Sequence, residues 1–222
     1  MTVKATGKRT AFLAGGAALV ALSAVVAGAS GAPAAPKPAA AAVHGAATVR
    51  YDYAPADHEI RFTVDAEAAP FTRPFPGRQG AKGSPVDARG KVTVYHYIPG
   101  RGAGTSEAEV DCLVTGGRTA TLTAIVTKSN VGEVGKRIGI SVQDGRHGEP
   151  DRLGFSWGIA NIDPPHTDAE GDAAQATVGT CMAPAPFTTV VKGGFAVTPA
   201  ALPPLPDGFG SQSTSIAAAR RD

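Results

Sequence analysis

The most suggestive chemical pattern in the chain is Gly154-Phe155-Ser156-Trp157-Gly158, which matches G-x-S-x-G. In α/β-hydrolases this pattern forms a nucleophile elbow. The serine sits on a strained strand-to-helix turn, with its hydroxyl exposed beside a base and an oxyanion hole. The flanking chain argues against that use. Ile159 to Pro165 carries two prolines and no helical pattern. An acid and base in the usual order are Asp163 and His166, crowded within ten residues of the serine. Strand alternation instead sends Leu153, Phe155 and Trp157 into a core and turns Ser156 outward. Ser156 is therefore expected not to act as a nucleophile.

Carboxylates offer a second chemistry. Glu109 and Asp111 lie two apart on one strand face, and Glu107 shares it. Paired carboxylates can hydrolyse glycosides. Such a face is more commonly solvated, or paired to the opposed strand. The loop from Asp144 to Asp151 holds Asp144, Glu149 and Asp151 among glycines. Oxygen ligands on a flexible loop suit calcium, but the spacing is not that of an EF-hand, and Asp-Gly is first a turn former. His96 stands in an apolar series, as half-buried core histidines do. His58, His147 and His166 show no metal-ligand spacing. No catalytic, cofactor-binding or metal residue is assigned, and no cofactor is expected.

The first ten residues carry Lys4, Lys8 and Arg9 and no acid. An apolar run follows from Ala11 to Ala29, ending in Ala27-Gly28-Ala29. A charged start, an apolar middle and a small-residue end make a secretory signal peptide, expected to span 1–29. A transmembrane anchor is the alternative, but the run is rich in Ala and Gly and only about 19 residues long, near the lower limit for crossing a bilayer. No cysteine follows it to anchor a lipoprotein. Residues 30–47 read as a Pro/Ala-rich linker, 48–200 as one domain, and 201–222 as a flexible tail.

Export gives the cysteines their meaning. Cys112 and Cys181 are the only two. An even count in an oxidising compartment predicts a disulfide. A catalytic cysteine would need a nearby histidine and a reducing environment. Charge excludes one class of partner. The whole chain carries +2, and removing Lys4, Lys8 and Arg9 leaves −1. A near-neutral protein has no electrostatic footprint for nucleic acid. The charge is uneven, however. Arg61 to Arg101 holds seven bases against three acids, and Asp144 to Asp172 seven acids against two bases. Most such segments are ordinary solvated faces; a dipolar surface for a charged wall polymer is the sharper alternative.

The elements that must position these residues are strands. Hydrophobic period is two, not 3.6. Ile60, Phe62 and Val64 alternate with Arg61 and Thr63. Val92, Val94, His96 and Ile98 form another series, as do Ala108, Val110, Cys112 and Val114. Ala120, Leu122, Ala124 and Val126, then Ile138, Ile140 and Val142, continue the pattern. Leu153, Phe155 and Trp157 follow, and a last strand is expected within Phe187 to Val197. Polar residues on the alternate face indicate antiparallel strands covered on one side. Gly116-Gly117 is expected at a tight hairpin, where positive φ is needed. The predicted fold is all-β: an antiparallel sandwich or small up-and-down barrel of about seven to eight strands.

Several segments carry a resemblance. Gly90-Lys91-Val92-Thr93-Val94, Val110-Asp111-Cys112-Leu113-Val114, Thr119-Ala120-Thr121-Leu122-Thr123, Pro150-Asp151-Arg152-Leu153-Gly154-Phe155 and Gly179-Thr180-Cys181-Met182-Ala183-Pro184 occur in this order. Together they resemble a group of exported proteins of high-GC Gram-positive bacteria, some labelled repetin. The resemblance spans about Gly90 to Val197. It implies an all-β secreted module and supplies no catalytic residues.

The resulting expectation is a secreted, extracellular or cell-wall-associated, non-enzymatic β module. Its partners would be a cell-wall polymer or an apolar small molecule. One alternative is a small barrel carrying an apolar ligand, since the small inward residues Ala108, Ala120 and Ala124 could leave space inside. The other is a secreted hydrolase using Ser156.

Overall fold

The computed structural model describes residues 40–74, 83–146, 148–159 and 175–206. Eight antiparallel strands run β1 (Ala42–Arg50), β2 (Glu59–Ala68), β3 (Ala88–Ile98), β4 (Gly102–Gly116), β5 (Thr119–Ser129), β6 (Arg137–Gln143), β7 (Arg152–Phe155) and β8 (Thr188–Thr198). Each pairs with its sequence neighbour, and β8 returns to β1 to close an up-and-down barrel. Barrel, not sandwich, is therefore the architecture. The expected segment 1–29, most of the 30–47 spacer, His147, Asp163, His166 and the tail beyond 206 lie outside the described residues.

Closure starts earlier than the sequence suggested. The strand β1 begins at Ala42, inside the segment expected to be a linker. Val43, Ala47 and Val49 point inward and are buried. Alanine and glycine between them disguise the alternation, because small residues contribute little hydrophobic contrast.

An eight-stranded barrel is just wide enough for side chains to fill. Here Val43, Phe62, Val64, Val92, Leu122 and Ile140 are among those that fill it. The alternate positions on β2 and β3, such as Arg61, Thr63, Asp65, Lys91 and Thr93, are exposed. An apolar inside and charged outside is the reverse of an outer-membrane barrel, which is apolar toward lipid. No helix among the described residues is long and apolar enough to cross a membrane.

Two irregularities shift the expected faces. A bulge between Val110 and Cys112 leaves Asp111 without a partner in the ladder. An extra residue reverses the alternation beyond it, so Leu113 enters the core and Cys112 and Val114 do not. The β4–β5 hairpin turns on Gly117-Arg118 rather than Gly116-Gly117. Only Gly117 has positive φ, at 58°, which suits a turn with glycine at its first central position.

A strap crosses the outside of the barrel. Cys181 is bonded to Cys112 on β4, with the two Cα atoms 5.4 Å apart. From there the chain passes over β6 and β7 before joining β8. Ser141 Oγ donates to the Pro184 carbonyl at 2.5 Å, and Arg152 Nε donates to the Pro186 carbonyl at 3.2 Å. The strap buries Thr123 on the outer side of β5. The Thr123 hydroxyl accepts the Cys181 N–H at 3.1 Å and donates to Asp111 at 2.6 Å.

Candidate binding site at the barrel mouth

The end of the barrel where β1, β3, β5 and β7 finish is called the upper mouth. Its floor is aromatic. Phe155 stacks on Trp157 with centroids 4.5 Å apart and on Phe62 at 5.7 Å. Tyr51 and Phe187 meet Phe155 at 5.5 and 5.0 Å. The Phe155–Phe187 pair is tilted, and the Tyr51–Phe155 pair meets edge to face. These rings cap the packed interior. The single 3-10 turn Ser156–Gly158 carries Trp157 away from β7 and lays its indole over the floor.

Beside Trp157, which alone of these rings lines it, lies a cleft of about 470 Å³. Val94, Ile98, Ile138 and Trp157 supply its apolar wall, and His96, Arg101, Ser106, Asn130 and Glu133 its polar side. Ser106 points inward from β4, and its hydroxyl reaches Ser129 at 3.0 Å and the Glu133 carboxylate at 3.5 Å. His96 points inward from β3, and its Nε2 lies 3.1 Å from Nδ1 of His58. Burial lowers the His96 pKa from its usual 6.5, and the neighbouring His58 lowers it further. A carboxylate, a hydroxyl and a neutral imidazole beside an indole can hold a molecule with an apolar body and a polar end.

The candidates from sequence do not assemble into this site. Ser156 is not outward and solvated as expected; it is 7% exposed. Its Oγ accepts the Gly139 N–H at 3.0 Å. The paired part of β7 stops at Phe155, so the serine side chain takes the place of the next backbone acceptor. That hydroxyl is held by a backbone donor, and no base touches it among the described residues. Glu107 and Glu109 lie together on the exposed outer face of β4, as expected, and only Asp111 is set apart from them by the bulge. Glu107 pairs with Lys128 at 3.0 Å, while Asp111, buried on the outer side at the bulge, meets Arg137 at 2.9 Å.

The two loop aspartates are also engaged. Asp144 pairs with Arg118, whose Nε donates to the Asp144 carbonyl at 2.9 Å. Asp151 accepts the N–H groups of Gly145 and Phe195 at 2.7 and 2.6 Å. These bonds fasten the β6–β7 loop to β8. Two bases of the base-rich segment are similarly occupied: Arg89 pairs with Glu67 at 2.7 Å, and the Arg61 guanidinium lies 3.9 Å from the Tyr95 ring centroid.

Ala108, Ala120 and Ala124 are buried in the continuous core and do not line the cleft. The open volume is at the mouth, where strand ends diverge and larger residues stand around it. Sequence reasoning missed Ser106, Glu133 and Ile138, which come from separate segments with no shared pattern. It placed His96 at a half-buried position, and that is where it lies. No protein-family model, curated protein or solved structure matches the chain.

Proposed function

We propose that this chain is an exported, non-enzymatic binding module whose barrel presents a ligand cleft at its upper mouth. The observation that carries the reading is the contrast between a filled barrel and an open cleft walled by Trp157, with Ser106, Glu133 and His96 on one side. Its volume, about 470 Å³, falls within the range of roughly 300–1,000 Å³ typical of small-molecule sites. The ligand class is a small amphipathic molecule. Its apolar body would lie against Trp157 and Ile138, with a hydrogen-bond donor toward Glu133.

Export is supported by the charged, apolar and small-residue order of residues 1–29, and a disulfide suits an oxidising compartment. The resemblance to exported proteins of high-GC Gram-positive bacteria points the same way. The buried, backbone-bonded hydroxyl of Ser156 supports a non-catalytic reading.

Trp157 is the only tryptophan, so its fluorescence reports on the cleft directly. Anilinonaphthalene sulfonate is a suitable amphipathic probe. It should quench Trp157 by energy transfer at a saturable single site. Gly104→Leu should abolish that signal while the far-ultraviolet circular dichroism stays unchanged. Gly104 lines the cleft, and an added Cβ would stand 3.1 Å from Val131 Cγ1, leaving the longer side chain to fill the space. Unaltered quenching in Gly104→Leu would reject the site.

A further inference from the structure

We propose that His58 and His96 form a two-imidazole site for a divalent transition-metal ion of the zinc, cobalt or copper type. The inference is independent of whether an organic molecule occupies the cleft.

The geometry comes first. Nδ1 of His58 and Nε2 of His96 face each other at 3.1 Å. Two nitrogens bound to one tetrahedral ion at about 2.0–2.1 Å stand about 3.3 Å apart. The two rings need only open by tenths of an ångström and rotate for an ion to enter between them. Without metal, one nitrogen must carry a proton and donate to the other, so the pair exchanges a shared proton for a shared cation.

The backbone holds both residues ready. His96 lies opposite Ile60 in the β2–β3 ladder. His58 immediately precedes β2, and its N–H donates to the Pro55 carbonyl at 3.0 Å. Ligands on fixed backbone lose little entropy on binding, so less affinity is spent on ordering them.

The donor set selects the ion. Imidazole suits zinc, copper, nickel and cobalt, whereas calcium and magnesium prefer oxygen. Coordination uses the neutral ring, the form that burial and His58 favour at His96. His96 also lines the cleft, so the remaining coordination positions open toward water or a ligand atom. Among the described residues no group of three or more His, Cys, Asp or Glu side chains converges. Two protein ligands make an exchangeable ion rather than a structural one.

The test is calorimetric titration of the untagged chain with zinc chloride. Wild type should bind one ion. His58→Gln and His96→Gln should each weaken binding at least tenfold, whereas His44→Gln should not. His44 serves as the control because it pairs with Asp65 on the outer face. Undiminished binding in the His58→Gln/His96→Gln double variant would assign the ion to another histidine and overturn the proposal. So would no binding to wild type at millimolar zinc. Should a variant fail to fold, wild type still decides the matter. Bound cobalt should shift the imidazole proton signals of His58 and His96 and leave those of His44 in place; shifts at His44 alone would overturn the proposal.

Discussion

The carbonyl of Met182 rests against the α-carbon of Gly139, so closely that a Cβ added to Gly139 would overlap its oxygen. Gly154 meets the carbonyl of Ala185 in the same way. The missing side chains of two outward strand positions are what let the strap lie flat on the barrel. Both obstructing atoms are backbone, and the strap is tethered at Cys181, so neither neighbour yields easily. Gly139→Ala is expected to destabilise the fold by about 1–3 kcal/mol, the usual cost of overpacking. Urea denaturation would measure it, and limited proteolysis should cut the variant first within 176–187. Wild-type stability in Gly139→Ala would mean that the strap does not bear on β6.

The disulfide holds that strap from the other side. Cys112 and Cys181 are 69 residues apart in sequence. In the chain-entropy model, closing a loop of that size restricts the unfolded chain by roughly 4 kcal/mol. Cys112→Ala should therefore lower the free energy of unfolding by about 2–5 kcal/mol. Denaturation of wild type with and without reductant should reproduce the difference. Free thiols in secreted protein would contradict the bond.

Ser156 and Gly139 make a prediction that separates structure from catalysis. Ser156→Ala removes the acceptor of a buried N–H. An unsatisfied buried donor costs about 1–3 kcal/mol, more than a surface substitution would. A fluorophosphonate probe should not label the wild type, because the hydroxyl is covered and has no base beside it among the described residues. Stoichiometric labelling that vanishes in Ser156→Ala would restore the hydrolase reading.

Strand number, pairing direction and the cysteine bond were legible because period-two burial and an even cysteine count act locally on the sequence. Ile60, Phe62 and Val64, or Ile138, Ile140 and Val142, show their inward face without help from neighbours. The choice between barrel and sandwich was not legible. It depends on whether β1 reaches β8, and the alanines and glycine of β1 hide its own alternation. The Asp111 bulge was also invisible, because one extra residue leaves composition unchanged while reversing every later side chain. The mouth was partly legible. His96 could be placed at half-burial, and the inward series Ile60, Phe62, Val64 extends back to His58, but alternation alone does not say that these two histidines meet across the β2–β3 pair. Ser156 was misplaced because alternation assumes that the strand continues, whereas β7 ends at Phe155 and Ser156 opens a 3-10 turn that brings its hydroxyl onto the Gly139 N–H.

His96 gives the fold a pH dependence whose sign can be worked out. Its pKa in the folded protein is lowered from the usual 6.5, by burial first and then by the charge of a protonated His58. As pH falls, the unfolded chain therefore takes up this proton before the folded one does. Stability rises with pH wherever the unfolded state binds more protons. The contribution of His96 is thus complete above about pH 6.5. It is lost as pH drops from there toward the folded value, and levels off once both states are protonated. Urea midpoints measured from about pH 7.5 down to about 5.0 should decline through the lower part of that range. The decline should shrink in His96→Gln, which keeps a polar group beside His58 but cannot titrate. An identical pH profile in His96→Gln and wild type would show that other groups set the dependence.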